Sequence, residues 1–593
     1  MRARRWQRKI MLLGTLVLLG VMAACGGGDD AADTTTTGTD TTTAAPTATS
    51  SAGAAVAAPT ATSATVVSTG GEHGGTMRWA GYTPLTRGDP QGGGISGSWM
   101  VYSGYDRLIG VDVYNPETLG YIGILAESWE FEDGGATIVF NLRKGVKWHD
   151  GSDFTSEDVI ASWDRLLTVG QYKGSLGPSL VGTEATDDYT AKFKLTGPLG
   201  KTLSEFGIRG GRMMQKEILD RLENANPAPT LEDHVGTGPF KFVKYDVAGG
   251  WVAERNDDYY LIDPDGKELP FLDGHVGFPI PDEGTRLASF LGGQLDMLSP
   301  IAVSPQMGKQ IRDESSGFHV FPLSNNDWYM ALANSAPFDN YNVRKAIHLA
   351  LDRHTNSRIT DLNADWGKVW GFVPPYQGGP SEAELHQLPG FTADKTADWA
   401  EANRLLDEAG LPKDGNGIRM TITTIAPASQ SYMDNAVLYA SDLRKIGIKY
   451  DMVPSPDRAA HSEKIMGCDY QADLSRSAVA PDADAEFDEA LPTPWDPSTS
   501  QLGACGWPVV QSLVDQFLEQ SQTVDPVARR ALIRQLDLDM RANEEIGLAW
   551  IPEHMGSYLA ARWPHVHGAG YEVGDRWFHY TSNLSWRTVW LEQ

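Results

Sequence analysis

Three short strings in this chain combine residue types that chemistry uses. Gly200-Lys201-Thr202 is the end of a phosphate-binding loop, in which backbone amides cradle phosphate oxygens, but Leu195 stands where the pattern needs its first glycine. The cradle is incomplete and the string reads as a loop. His149-Asp150-Gly151 sets an imidazole beside a carboxylate, the ingredients of a metal or acid–base site. Asp-Gly also serves the geometry of a tight turn, and turn is the reading adopted. His565-Val566-His567 puts two imidazoles on one face if extended; two ligands without a third hold a metal poorly, so these read as surface histidines. There is no Gly-x-Ser-x-Gly elbow, and Ser, His and Asp are too plentiful to argue a triad by presence alone. No catalytic residue, metal ligand or cofactor is assigned.

The three cysteines carry a different chemistry. Arg2, Arg4, Arg5, Arg8 and Lys9 precede an apolar run from Ile10 to Ala24, and Val21-Met22-Ala23-Ala24 leads directly into Cys25. The run has the length of a signal-peptide core and is too short to span a bilayer comfortably. Its end resembles the bacterial lipobox, in which the cysteine thiol is alkylated with diacylglycerol. Residues 1–24 are therefore expected to be a cleaved signal peptide and Cys25 a lipidated anchor, two or more acyl chains making such an anchor stable at about 0.8 kcal/mol per buried methylene. Cys468 and Cys505 are then the remaining pair. In an oxidising compartment they read as a disulfide, with two buried thiols or a metal site as the alternatives. Zinc is disfavoured, since neither has a second Cys or His at short spacing.

Residues 26–73 are nearly all Gly, Ala, Thr, Ser, Asp and Pro, with Val56, Val66 and Val67 the only larger apolar side chains. Such a stretch cannot bury enough surface to order itself. It reads as a disordered tether with a root-mean-square span of about 40 Å. From residue 74 the chain is globular and too long for one core, so two lobes or up to three subdomains are expected. The formal net charge is −28, more negative once the basic leader is removed. That sign makes nucleic acid and anionic lipid poor partners for the body.

The elements that must position any site are partly legible. Thr76 to Tyr82 reads as a short strand ending in a glycine turn. Alternating side chains either side of Asp133-Gly134 predict a β-hairpin. Thr155 followed by Asp158 predicts a helix start, close to a capping box. Val159, Ile160, Trp163, Leu166 and Leu167 then recur at helical spacing as a core face.

The run from Leu125 to Val159 resembles, almost position by position, the hallmark of the peptide and nickel type (family 5) of extracellular solute-binding proteins that serve ABC importers. Val235 to Phe242, Glu254 to Tyr260, Pro281 to Ala288, Gly293 to Asp296, Pro337 to Asp339, Val343 to Arg353 and Ala402 to Gly410 resemble further landmarks in the family's order. The resemblance implies an α/β, two-lobed periplasmic-binding-protein-like fold with a hinge and an extra subdomain inserted in lobe 1. It assigns 74–112, 235–327 and 553–593 to lobe 1, 113–234 to the insert and 328–552 to lobe 2.

In peptide-binding members, the segment corresponding to Ala472 through Phe487 carries a Trp and then an acid that pairs with the peptide amine. Matching Asp482-Ala483-Asp484 to the family's Asp-Pro-Asp places Arg476 near the Trp and Val479 near the acid. An apolar residue cannot neutralise a buried ammonium, so a peptide amine needs Asp482 or Asp484 instead. Arg476, if it enters the cleft, favours a carboxylate, phosphate or hydroxyl-rich ligand; alternatively it pairs with a structural acid such as Asp473. Tyr82, Thr83, Trp328, Tyr329, Trp366, Trp370 and Trp495 are further ligand candidates near the implied cleft walls. None of these positions is histidine, which argues against nickel.

The resulting expectation is a monomeric, membrane-tethered solute-binding protein outside the cytoplasmic membrane, periplasmic or at the cell surface. It delivers a peptide or other small polar solute, with oligosaccharide as the alternative, to ABC permease transmembrane subunits. An extracellular hydrolase on the same scaffold and a ligand-presenting sensor are the competing readings.

Overall fold

The computed structural model describes residues 70–81, 90–91, 103–111, 121–169, 176, 179–207, 211–222, 231–246, 249–263, 265–314, 317–360, 369–478, 482–492, 500–568 and 587–592. Its centre is a ten-stranded mixed sheet. The strands lie in the order Ile448–Ser455, Met420–Pro427, Ala472–Ala478, His319–Leu332, Trp550–Arg562, Met297–Val303, Thr76–Gly81, Gly274–Pro279, Gly250–Arg255, Phe240–Asp246. Two parallel sets flank the middle. Met420–Pro427 pairs parallel with both Ile448–Ser455 and Ala472–Ala478, and Thr76–Gly81 pairs parallel with both Gly274–Pro279 and Met297–Val303. Between them His319–Leu332 and Trp550–Arg562 run antiparallel from His319↔Arg562 to Ala331↔Trp550. These two long strands belong to both halves of the sheet, and the expected lobe boundaries at 327/328 and 552/553 fall within them.

Helices cover the sheet because parallel strands need crossovers. Gln430–Lys445 follows Met420–Pro427, Arg458–Met466 precedes Ala472–Ala478, and Glu283–Leu291 links Gly274–Pro279 to Met297–Val303. Side-chain alternation along His319–Leu332 splits its residues between two cores. Trp328, Met330 and Leu332 pack with the helices Tyr341–Ala350 and Gln430–Lys445, whereas Tyr329 and Ala331 pack with Phe372, Phe487 and Trp507 on the opposite face.

A separate four-stranded antiparallel sheet is built from Ala126–Glu132, Thr137–Leu142, Thr190–Leu195 and Leu180–Asp187. The expected hairpin forms, its turn requiring the left-handed backbone that Gly134 adopts at φ 66°. The helix Ser156–Val169 begins where the sequence placed it: Asp158 Oδ2 accepts from the Thr155 backbone N–H at 2.9 Å and from Trp148 Nε1 at 3.2 Å. Val159, Trp163 and Leu166 are fully buried, while Ile160 and Leu167 are partly so.

Candidate functional site

Strand direction locates the candidate region. Arg476 is opposite Trp328 and Ala478 opposite Asn326, so Ala472–Ala478 and its parallel neighbours run towards the crossing segment of the long strands. From the other side, Met297–Val303 advances from Ala561 towards Leu559 of Trp550–Arg562. The carboxyl ends of both parallel sets therefore face the same region, which is where open α/β sheets hold ligands.

On one wall of that region Arg476 is exposed, its guanidinium carbon 5.8 Å from the ring centres of both Trp328 and Tyr432. Trp328 is 5 % exposed, edge-on to Tyr432 at 4.8 Å and parallel to the His554 ring at 6.3 Å. Burial lowers the His554 imidazole to about 3, so this ring is a neutral backing. Asp473 does not meet Arg476. It lies on the opposite face of the strand, where Gln501 donates to Oδ2 at 3.0 Å and His461 Nε2 is 3.2 Å from Oδ1.

Asp482 caps the helix Ala483–Ala490 by accepting from Asp484 N–H at 3.0 Å. Both its carboxylate oxygens are held by Arg529, at 2.7 and 2.6 Å, and Asp484 accepts from Arg529 at 2.8 Å and Gln520 at 2.7 Å. Tyr329 is buried and stacked on Trp550 at 3.8 Å, and Trp370 is buried at 3 % exposure. Tyr82, Thr83, Trp366, Val479 and Trp495 lie outside the described residues, as do Cys25 and the tether. Tyr432 and His554, which frame Arg476 and Trp328, were not singled out from sequence. Tyr432 had one usable signal, its place just after a strand in an α/β unit.

Cys468 and Cys505 are bonded, Sγ to Sγ at 2.05 Å. His149 is a fixed turn element: Gly236 N–H donates to Nδ1 at 3.2 Å and Nε2 is 2.9 Å from the Gly238 carbonyl. His565 and His567 approach different carboxylates, Asp296 and Glu592. The amide of Gly200 already donates to Ser521 O at 2.6 Å, and a Cβ there would collide with Thr523 O and Arg529. Among the described residues no group of three or more His, Cys, Asp or Glu is placed to hold a metal, and no helix is long and apolar enough to cross a membrane.

The chain matches the family model described as bacterial extracellular solute-binding proteins, family 5 Middle, over residues 120–496. It is 26% identical over 412 residues to the periplasmic oligopeptide-binding protein OppA of Haemophilus influenzae, covering 62% of this chain and 73% of that one. It is 26% identical over 373 residues to the dipeptide-binding protein of Escherichia coli, covering 59% and 65%, so the match spans just under two thirds of that relative. Among solved structures, the periplasmic binding protein DppA from Helicobacter pylori in complex with the peptide STSA superposes with a TM-score of 0.63 at 20% identity, covering 88% of this chain and 99% of that one. A mixed α/β periplasmic-binding-protein fold and a family match across more than half of the sequence lead to one assignment: the chain belongs to the family 5 bacterial extracellular solute-binding proteins, which are binding proteins and not enzymes.

Proposed function

We propose that this chain is the lipid-tethered solute-binding component of an ABC importer, anchored at Cys25 and capturing a peptide or other small polar solute for a membrane permease. The observation that carries the reading is the opposition of the two sets of strand ends across the crossing strands His319–Leu332 and Trp550–Arg562. A solute held there touches both halves, and bending of the two shared strands closes one half over the other as a hinge. Residues 74–112, 235–327 and 553–593 form one lobe, 113–234 its insert and 328–552 the other lobe. The relatives named for oligopeptide and dipeptide binding favour peptide. The segment near Val479 favours a solute not held by an ammonium, and oligosaccharide is the second ligand class.

The test is mass spectrometry of the chain purified without denaturation, comparing its native mass with the small molecules released on unfolding. Retained peptide or glycan supports capture and names the class. An empty protein that no peptide or oligosaccharide stabilises against heat overturns it. Separately, Cys25→Ser is expected to move the protein from the membrane fraction to the soluble extracytoplasmic fraction. Unchanged membrane retention overturns the anchor.

A further inference from the structure

The crevice wall around Arg476 has the composition of an anion anchor. Aromatic faces hold the guanidinium in place without neutralising it, and leave its N–H fork free for a planar acceptor. Its flanking rings are themselves fixed, Trp328 between Tyr432 and His554. Among the described residues no carboxylate pairs with Arg476, whereas the buried Arg529 and Arg587 are both paired: Arg529 with Asp482 and Asp484, and Arg587 with Asp106. In a chain of formal charge −28, an exposed cation with no acid beside it among the described residues, near the facing strand ends, is set against the prevailing sign.

A second feature converges there. The helix Gln430–Lys445 begins beside the same corner, with Tyr432 in its first turn. Ser429 at its N-cap makes no side-chain hydrogen bond to the first-turn amides. Its hydroxyl is instead 3.2 Å from the Ser431 hydroxyl. The positive end of the helix dipole favours negative charge. The imidazole behind Trp328, His554, is buried and neutral and adds no positive charge to the corner.

We propose that the captured solute carries an anionic group, a carboxylate or a phosphate, that pairs with Arg476 in front of the Trp328–Tyr432 platform at the start of the helix Gln430–Lys445. The inference rests on the solute-capture reading and names the chemistry of its ligand. A peptide bound this way is anchored through its carboxylate, not through its amine. The two aromatic faces flank the anchoring charge, which suits an apolar or planar group next to it.

The experiment offers the full chain four tripeptide libraries of Ala, Gly, Ser and Phe, with free carboxyl ends, amidated ends, acetylated amines, or amidated ends plus phosphoserine. A neutral maltooligosaccharide mixture is added as a fifth. Retained species are read by mass spectrometry and affinities by calorimetry, for wild type, Arg476→Gln and Arg476→Lys. The expected result is retention of free-carboxyl species and a loss of at least tenfold on amidation in wild type. Acetylation should have little effect, and amidation should make little difference in Arg476→Gln. Arg476→Lys should recover part of the preference, since it keeps the charge and loses the fork. Rescue of the amidated library by phosphoserine identifies phosphate as the anion. Equal binding of amidated, neutral and free-carboxyl probes by wild type and Arg476→Gln overturns the anion anchor while leaving capture intact. Failure of all three proteins to retain any probe overturns the capture reading, and the anchor with it. Melting temperatures of the variants within about 2 °C of wild type establish that the exposed position was changed without unfolding.

Discussion

Arg529 grips Asp482 through two nitrogens, Nη1 to Oδ2 at 2.7 Å and Nη2 to Oδ1 at 2.6 Å, and the same Nη2 reaches Asp484 at 2.8 Å. The cluster is buried, with Asp482 9 % and Arg529 8 % exposed. It ties the start of the helix Ala483–Ala490 to the helix Pro526–Ala542.

Removing the guanidinium leaves two buried carboxylates without their cation. Arg529→Met is expected to destabilise the fold by about 3–5 kcal/mol in chemical denaturation. Asp482→Asn should cost less, because one oxygen and one cap acceptor survive. Solute affinity of the folded Asp482→Asn protein should stay within about twofold of wild type by calorimetry. A collapse of affinity at unchanged stability would instead place Asp482 on the ligand.

His149 predicts an acid sensitivity. Gly236 N–H donates to its Nδ1, which must therefore be unprotonated, and its pKa is lowered to about 4, first by burial. The unfolded chain takes up a proton near 6.5 that the folded chain refuses. Stability contributed by the neutral ring is thus complete above about pH 6.5 and is lost as pH falls towards 4, to a limit of about 3 kcal/mol. His275 and His554, each lowered to about 3 by burial, act in the same direction. Urea midpoints measured from pH 7.5 to 4.5 should fall, and His149→Gln should flatten part of that slope.

Glu553 works with the opposite sign. It is 1 % exposed, both carboxyl oxygens lack a hydrogen-bond partner among the described residues, and burial raises its pKa well above the ordinary value. The folded state holds a proton that the unfolded state gives up, so this group penalises folding increasingly as pH rises beyond the usual carboxylate range. Glu553→Gln keeps the shape and removes the titration. Above pH 6.5, where the histidines are neutral in both states, it should stabilise the fold by about 1–3 kcal/mol. A destabilised variant at pH 8 would show that Glu553 is charged and satisfied there.

The Cys468–Cys505 bond joins residues 37 apart in sequence. In the chain-entropy model a loop of that length contributes about 4 kcal/mol through restriction of the unfolded chain. Reductant should lower the melting temperature and expose two titratable thiols. An unchanged melting temperature with both thiols reactive would show that the bond carries no stability.

Sequence alone determined the features governed by neighbours a few residues apart. The turn at Asp133-Gly134, the helix start at Thr155 and Asp158, and the glycine end of the helix Thr396–Glu408 at Gly410 (φ 75°) follow from backbone sterics and local hydrogen bonds. The sequence left a pair between Arg476 and Asp473 open; the strand they share, Ala472–Ala478, puts residues three apart on opposite faces and separates them. Tertiary structure alone decided what Arg476 and Asp482 meet. Trp328 faces Arg476 through a pairing register between strands nearly 150 residues apart, and Tyr432 joins them because its helix packs on that face. Asp482 finds Arg529 on a helix 47 residues further along the chain. Such contacts are fixed by how two cores bury their apolar faces on either side of one sheet, and no local pattern in the sequence encodes which distant charge that packing brings into reach.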